Sequence, residues 1–204
     1  IEIGNAYTVC KDYNSMLNSH MMKNNEWGAV AYLSRSKYGN NSQVSSGGSN
    51  YTGGGTNNHY TTYTSASTTG TVYGVYDMNG GAYEYVAAYI NNGDSNLTSY
   101  GSSLINGDSK TKNVYSKADT DDRESNYNQN AGVYGDAIYE TSSNANSSQD
   151  SWYIDYVKFP STRTPFFTRG GSHSNHATSG VFSLSHGTGV DDKVVSFRPV
   201  LIVI

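Results

Sequence analysis

Hydrophobic residues in this chain concentrate in three short blocks separated by long polar stretches: residues 21–33, 73–89 and 166–203. In the first block, four residues follow the spacing i, i+3, i+4, i+7 of one helical face: Trp27, Val30, Ala31 and Ser34. This pattern predicts a helix over residues 25–36. Asn24 or Asn25 is a suitable N-cap, because a short polar side chain can accept from the first free backbone N–H groups.

The second and third blocks carry patterns typical of β-strands. Tyrosines alternate about Glu84 in the segment 83–89, which predicts a strand. The third block predicts three more strands, at 166–171, 181–184 and 194–203, and their closeness in sequence favours an antiparallel sheet. The run 1–10 is also β-like, and the aromatic segment 152–159 predicts a short helix or a strand.

The predicted elements show no regular alternation of strand and helix, so we expect an α+β fold. It should contain small antiparallel sheets, one or two helices and a majority of irregular loops. The stretch 40–70 is rich in Gly, Ser, Thr and Asn, and it predicts a long surface excursion. We expect one domain over residues 1–204. Because the chain starts with Ile1 and not Met, we expect a processed or truncated product, such as the C-terminal part of a longer protein.

Composition narrows the classes of function. The 204 residues include 19 Tyr and only 15% charged residues, and Tyr with Ser, Gly and Asn is typical of binding loops. Tyr also favours strands, so both readings stay open for each tyrosine. The net charge of −4, with no basic block, argues against a nucleic-acid phosphate footprint. A single cysteine, Cys10, excludes an intramolecular disulfide and cysteine-cluster metal sites. No stretch is long and apolar enough to predict a membrane span.

One motif in each block contributes to a family resemblance: Asn25-Glu26-Trp27 with Ala29 and Ala31, the run GVYDMNG at 74–80 with Tyr83-Glu84-Tyr85-Val86, and Arg169-Gly170-Gly171-Ser172 with Ser196-Phe197-Arg198-Pro199-Val200. Together, in this order, they resemble the formylglycine-generating-enzyme (sulfatase-modifying-factor) branch of the C-type-lectin fold. Tyrosine stands at two positions where that family has tryptophan. The resemblance spans residues 21–203 and implies a C-type-lectin/formylglycine-generating-enzyme-like fold.

The resemblance also bears on catalysis. Enzymes of that branch use a reactive pair of cysteines shortly after the RGGS motif, whereas this chain has HSNHATSG at 173–180. A thiolate is the required nucleophile or metal ligand, and serine or asparagine does not replace it. We therefore expect no enzyme. The non-catalytic branch includes the variable proteins of diversity-generating retroelements, which are ligand-binding domains on phage tips and bacterial surfaces.

In those proteins the hypervariable positions lie between RGGS and the final FRP strand, which corresponds here to residues 173–195. This segment alternates apolar or glycine framework positions with chemically mixed positions, and we assign the mixed positions as the ligand-binding set: His173, Asn175, His176, Ser183, Ser185, His186, Thr188, Asp191, Asp192 and Lys193. We expect these side chains to face solvent, with Ser183 and Ser185 opposite the buried Phe182 and Leu184.

The expected partner is a protein or glycan ligand on a cell surface, and the expected location is extracellular, on a bacterial cell or a phage particle. A homo-oligomer stays open. We expect no resident cofactor, although the acidic run Asp119–Glu124 leaves a structural calcium open. A metal site at His173, His176 and His186 is less favoured than ordinary surface histidines, and a serine hydrolase is disfavoured because no G-x-S-x-G motif occurs.

Two further function classes stay open: a pilin-like filament subunit with a lectin-like body, and a remote formylglycine-type enzyme.

Charged residues inside the motifs are expected to be buried and paired, as part of the protein's framework: Glu26, Glu84, Arg169 and Arg198. Aromatic residues of the motifs are expected to share one buried cluster: Trp27, Tyr85, Phe182 and Phe197.

Overall fold

The structure is a computed structural model that describes residues 1–44, 63–145 and 151–202, and of His176 its backbone only. Within this part the fold is α+β, as predicted, with five α-helices rather than one or two. The helices are α1 (Ile3–Asp12), α2 (Asn24–Arg35), α3 (Ser95–Ser99), α4 (Ser102–Asn106) and α5 (Arg123–Asn130). The strands are β1 (His20–Met21), β2 (Tyr83–Asn91), β3 (Asn113–Ser116), β4 (Asn144–Ala145), β5 (Val157–Lys158), β6 (Phe166–Arg169), β7 (Leu184–Gly187), β8 (Val195–Phe197) and β9 (Pro199–Val200).

The nine-residue strand β2 is the spine of the main sheet. It pairs with β6 along one edge, while its other edge pairs with β8 at its start and with β3 at its end. The sheet then continues through β7, β5 and β4. Both β3 and β8 run parallel to β2, so the sheet is mixed and not the small antiparallel sheet that was predicted. A separate antiparallel pair joins β1 to β9.

Side chains alternate along β2 and face two different cores. One core contains Val86 and Ile90 together with Trp27 and Phe182. The other lies beneath α1 and contains Tyr85, Ala87 and Tyr89 with Phe166. The prediction of one shared aromatic cluster is therefore wrong. Successive strand residues face opposite sides of a sheet, so Tyr85 cannot share a core with Val86. Phe197, in register with Tyr85, is half-buried at the margin of the second core.

The first ten residues correct another prediction, because they form helix α1 rather than a strand. The buried positions of α1 include Ile3, Ala6, Tyr7 and Cys10, which share one helical face at i, i+3, i+4, i+7. Tertiary burial against β2 therefore outweighs the β-like composition of this run.

Helix α2 confirms the predicted helix to within one residue at each end, but its N-cap is Lys23 and not Asn24 or Asn25. The Glu26 carboxylate accepts from Lys23 N at 2.9 Å and so satisfies a backbone donor at the helix start. Asn24 is instead buried and bonded elsewhere. The predicted third strand of the last block splits into β8 and β9, and residue 203, at its end, lies outside the described residues.

Segment 152–159 contains the short strand β5, in line with one of its two predictions. Of the predicted surface excursion 40–70, residues 45–62 lie outside the described part, so most of that prediction is not addressed. Among the described helices, none is both long and apolar enough to cross a bilayer.

Candidate functional site

A buried arginine, Arg169, fixes the end of β6 beside the candidate site. Its guanidinium donates to Asn24 Oδ1 at 2.7 Å and to the carbonyl oxygens of Asp136 and Ala137 at 2.6 and 3.2 Å. Burial lowers the pKa of Arg169, and the nearby Asp136 carboxylate opposes this shift. Gly170, at a φ of 82°, then turns the chain out of the strand, a conformation that glycine adopts without strain.

A second arginine, Arg198, ties the last block of the chain to β2. Its guanidinium forms a two-pronged ion pair with Glu84 and donates to the carbonyl oxygens of Tyr76 and Asp77, each at 3.1 Å. Burial raises the pKa of the Glu84 carboxyl, and the Arg198 guanidinium opposes this rise. The prediction that Arg169 and Arg198 contact carboxylates or backbone carbonyls inside the protein is confirmed. Both guanidiniums are therefore held in place by contacts inside the protein.

A small cavity lies over the sheet between β2, β6, β7 and the loop that precedes β8. Its floor contains Tyr85, Thr168 and Ser185, because Tyr85 pairs with Thr168 and Thr168 pairs with Ser185 on adjacent strands. Adjacent strands are about 4.8 Å apart, so the three side chains form a row. The cavity measures about 170 Å³. We call it the hydroxyl pocket, and its lining is Tyr83, Tyr85, Thr168, Ser185, His186, Gly187, Thr188, Val190, Asp192, Val194 and Val195.

Two hydroxyl groups on this floor have no hydrogen-bond partner among the described residues. Thr168 is 2% exposed and Ser185 is 8% exposed. In the part of the chain that the structure describes, neither hydroxyl oxygen makes a hydrogen bond, and neither is among the atoms sealed from solvent. Both groups therefore open into the hydroxyl pocket. Buried polar groups in proteins are normally hydrogen-bonded, so these two are available to a bound molecule.

The two tyrosines that line the hydroxyl pocket are held in place by hydrogen bonds. Tyr83 donates its hydroxyl to Asn175 Oδ1 at 2.7 Å, and Tyr85 donates weakly to the Val190 carbonyl at 3.4 Å. Burial raises the pKa of Tyr85 to about 12, so its hydroxyl stays protonated at neutral pH. A Cβ at Gly187 would come within 2.9 Å of the Tyr85 ring, so the ring requires glycine at that position.

The electrostatic character of the hydroxyl pocket is set by Asp192. This exposed carboxylate lies at the rim, and among the described lining residues it is the one acidic side chain. Burial, followed by the nearby Arg123 and Lys158, lowers the pKa of His186 to about 4, so its imidazole is neutral. The pocket is therefore uncharged on its floor and weakly acidic at its opening.

The predicted ligand-binding residues differ widely in exposure. His173, Asp191, Asp192 and Lys193 are exposed, and Asn175, His186 and Thr188 are half-buried. Ser183 and Ser185 are buried, which contradicts the expectation that they face solvent. The predicted strand at 181–184 is wrong in its bounds, because Val181 and Phe182 lie in a turn and β7 begins at Leu184. Ser185 does lie opposite Leu184, but the loop before β8 covers that face, and Ser183 Oγ donates to the Tyr156 carbonyl at 2.8 Å. The side chain of His176 lies outside the described part.

The structure gathers part of the predicted set and separates the rest. Ser185, His186, Thr188 and Asp192 all line the hydroxyl pocket. Of the lining residues, Tyr83 donates to Asn175, and His173, two residues before Asn175, is bonded through its backbone N–H to the Gly81 carbonyl at 2.9 Å. Asp191 contacts the amino group of Ile1 instead. Ser183 does not line the pocket, because its hydroxyl donates to the Tyr156 carbonyl.

Two metal sites were left open by the sequence, one at the three histidines and one in the acidic run. Neither shows clustered ligands among the described side chains, which do not include that of His176. His173 Nδ1 lies 3.3 Å from the Gly81 carbonyl, whereas His186 Nε2 lies 3.2 Å from Arg123, so these two imidazoles have separate partners. In the acidic run, Asp122 caps α5 by accepting from Ser125 N at 2.8 Å, and Asp121 accepts from Asn126 at 2.8 Å. Across the described residues, no group of three or more His, Cys, Asp or Glu side chains is positioned to hold a metal ion.

Among the lining residues that sequence reasoning missed, three carry a hydroxyl: Tyr83, Tyr85 and Thr168. The two tyrosines were assigned to strand and core, although only Tyr85 is fully buried. Thr168 lies in the otherwise apolar run Phe166-Phe167-Thr168, and a polar residue inside a buried strand was the available signal.

Comparisons with known proteins add no assignment: the chain matches no protein-family model, no curated protein and no solved structure.

Proposed function

We propose that this chain is a non-enzymatic ligand-binding domain with a C-type-lectin-like fold, acting outside the cell as a surface adhesin or phage receptor-binding tip. The observation that carries the proposal is the pair of buried, unpartnered hydroxyls of Thr168 and Ser185, which open into the hydroxyl pocket. A pocket with a few convergent polar groups is the usual form of a small-molecule site. The binding face would be this pocket with the exposed rim of residues 188–193.

Contacts between the motif blocks support the lectin-like assignment. Trp27 Nε1 donates to the Val181 carbonyl at 2.7 Å, and the Arg198 guanidinium lies 5.7 Å from the centroid of the Trp27 ring. A Cβ at Gly170 would lie 3.3 Å from the same ring. The first and third motifs therefore meet at Trp27, while the Glu84–Arg198 pair joins the second motif to the third.

A cysteine-based reaction is disfavoured by the environment of Cys10. This residue lies buried in the core beneath α1. Burial raises the pKa of its thiol to about 12, which is opposite to the shift that a nucleophilic thiolate needs. A binding role requires no such group.

The proposal is tested by flow cytometry of fluorescently labelled protein on intact bacterial cells from a panel of species. Asp192→Ala with Lys193→Ala should reduce cell binding by about tenfold, because rim charges contribute to affinity and encounter. The matched control is Lys117→Ala with Asp119→Ala, two exposed charges outside the site. Retention of full binding by the rim variant and by Ser185→Ala would place the site elsewhere, with the stretch 40–70 as the next candidate.

A second candidate, an assembly subunit, is favoured by an exposed aromatic patch. Tyr134, Tyr139 and Trp152 stack edge to face with ring centroids 5.5 and 5.7 Å apart, and Tyr134 and Trp152 are 78% and 62% exposed. Contiguous exposed apolar surface often marks protein interfaces. Sedimentation velocity over increasing protein concentration tests this role. Mass growth that Trp152→Ser abolishes supports assembly, and a constant monomer mass rejects it.

A further inference from the structure

The hydroxyl pocket has the chemistry of a site for a neutral, polyhydroxylated ring. Thr168 and Ser185 face each other across β6 and β7, and Thr188 and Tyr85 add hydroxyls on the same cavity wall. Hydroxyl groups both donate and accept, so such an array can pair with several hydroxyls of a ligand without a charged partner. The valines at the opening, Val190 and Val194, supply apolar contacts beside them.

The charge distribution of the hydroxyl pocket disfavours acidic ligands. Among the described residues that line the pocket, none is an arginine or a lysine, and the imidazole of His186 is turned toward Arg123 on the other face of the sheet. The carboxylate of Asp192 stands at the opening and repels anions, while it can accept hydrogen bonds from two neighbouring hydroxyls of a neutral ligand. Carboxylated, sulfated and phosphorylated ligands are therefore disfavoured.

The size of the pocket limits the ligand to one ring. Its volume of about 170 Å³ is below the roughly 300–1,000 Å³ of pockets that hold drug-sized molecules. The ring of Tyr85 closes one side against Gly187. A terminal residue of a larger molecule fits this geometry, because only one ring enters and the remainder stays outside.

The geometry points to one neutral sugar residue as the ligand of the hydroxyl pocket, bound through Thr168, Ser185, Thr188 and Tyr85, with Asp192 selecting against acidic sugars. This inference rests on the proposed binding function and narrows it to a ligand class. The sugar can come from a free monosaccharide or from the end of a glycan chain, and the two sources share the same ring chemistry.

The test measures binding of the methyl glycosides of glucose, galactose, mannose, fucose and N-acetylglucosamine by saturation-transfer NMR and calorimetry. The methyl glycoside of sialic acid is the acidic counterpart, and a glycan array provides the chain-end form of each sugar. We expect saturable binding of at least one neutral glycoside and none of the sialoside. Tighter binding on the array identifies a chain end as the source, and equal affinity identifies the free sugar.

Thr168→Val and Ser185→Ala should each weaken glycoside binding by about twofold to tenfold, the range for one lost neutral hydrogen bond. Their matched controls are Thr98→Val and Ser103→Ala, which remove exposed hydroxyls elsewhere. Because the Thr168 hydroxyl has no protein partner, Thr168→Val should keep the wild-type melting temperature within about 4 °C. Asp192→Asn should raise sialoside binding relative to neutral glycosides.

The outcomes separate the ligand class from the proposed function. If the pocket variants lose cell binding but the wild type binds none of the neutral glycosides, the sugar assignment is wrong and the binding site stands. If the glycosides bind wild type and both pocket variants equally, they do not occupy this pocket and the inference is overturned. If the pocket variants keep full cell binding, the proposed site itself fails.

Discussion

The carboxylate of Glu84 and the guanidinium of Arg198 form an ion pair inside the protein between residues that are 114 positions apart in the chain. Glu84 lies on the spine strand β2, while Arg198 lies between β8 and β9. Their side chains are 6% and 21% exposed, so most of the pair is shielded from solvent. This contact therefore fastens the last strands of the chain to the middle of the main sheet.

Removing one partner of this pair should destabilise the protein strongly. Arg198→Ala leaves the Glu84 carboxylate without its partner and removes the hydrogen bonds that Arg198 donates to the Tyr76 and Asp77 carbonyls. We expect a loss of about 3–5 kcal/mol in the free energy of unfolding, as for other broken buried pairs. Urea denaturation measures it, with Lys117→Ala as an exposed control. An unchanged midpoint in Arg198→Ala would contradict the framework role.

A hydroxyl between two polar groups should matter in the network around Arg169. Tyr115 donates to Asp136 Oδ2 at 2.7 Å and accepts from Asn24 Nδ2 at 2.7 Å, and all three residues are buried. Tyr115→Phe removes the hydrogen-bond partner of Asp136 Oδ2 and of Asn24 Nδ2, which should cost about 1–3 kcal/mol of stability. Tyr134→Phe, at an exposed tyrosine, serves as the control and should be neutral. Equal midpoints for the two variants in chemical denaturation would refute the network.

Two buried groups should produce opposite pH dependences of stability. Burial raises the pKa of Asp155 to about 7, above the ordinary value of 3.8, so the folded state binds this proton more tightly than the unfolded state. Stability from Asp155 is therefore full below about pH 4 and falls as the pH rises to 7. His186 has a folded pKa of about 4 against 6.5, so its contribution rises with pH between these values.

The two slopes oppose each other in the wild type, and single variants should separate them. With Asp155→Asn, the melting temperature should slope more steeply upward with pH between 4 and 6.5 than in the wild type, because the opposing Asp155 slope is removed and the His186 slope is kept. With His186→Gln it should fall over the same range. Each proton contributes at most about 1.4 kcal/mol per pH unit. Differential scanning calorimetry at half-unit pH steps measures both, and identical pH profiles for the two variants would be evidence against this account.

Exposure divides the predicted binding residues into replaceable and structural positions. His173, Asp191 and Lys193 are exposed, so changing all three to Ala should shift the melting temperature by only a few degrees, since surface substitutions change stability by about 0.5 kcal/mol each. Ser183→Ala removes the hydrogen bond to the Tyr156 carbonyl and should destabilise by about 1 kcal/mol. Thermal denaturation of the triple variant and the single variant tests the difference. Unfolding of the triple variant would show that these positions are structural.

The elements that the sequence predicted correctly are those whose spacing of buried residues follows directly from helix or strand geometry. The spacing of Trp27, Val30 and Ala31 predicted α2, because these residues share one helical face. The alternation of tyrosines about Glu84 predicted β2, because successive side chains of a strand face opposite sides of the sheet. The helix α1 was missed because its short apolar run fits either period, and only packing under β2 decides between them.

Long-range relations were not available from the sequence. The pairing of β8 with β2 depends on the register of segments far apart in the chain, and so does the loop that covers Ser185. Alternation correctly placed Ser185 opposite Leu184, but it cannot tell a covered face from a solvated one. The hydroxyl pocket was therefore only half predicted: Ser185, His186, Thr188 and Asp192 were included, whereas Thr168 and the two tyrosines were not.

The pairing of β1 with β9 and of β2 with β8 also has a consequence for how the chain folds. Both contacts join segments that are far apart in the sequence, and closing such long loops slows folding. During synthesis, the start of β2 lacks its β8 partner until β8 has emerged from the ribosome. The free edge of β2 is in that interval open to pairing with other chains, so production of this protein will depend on how quickly its last strands reach their places.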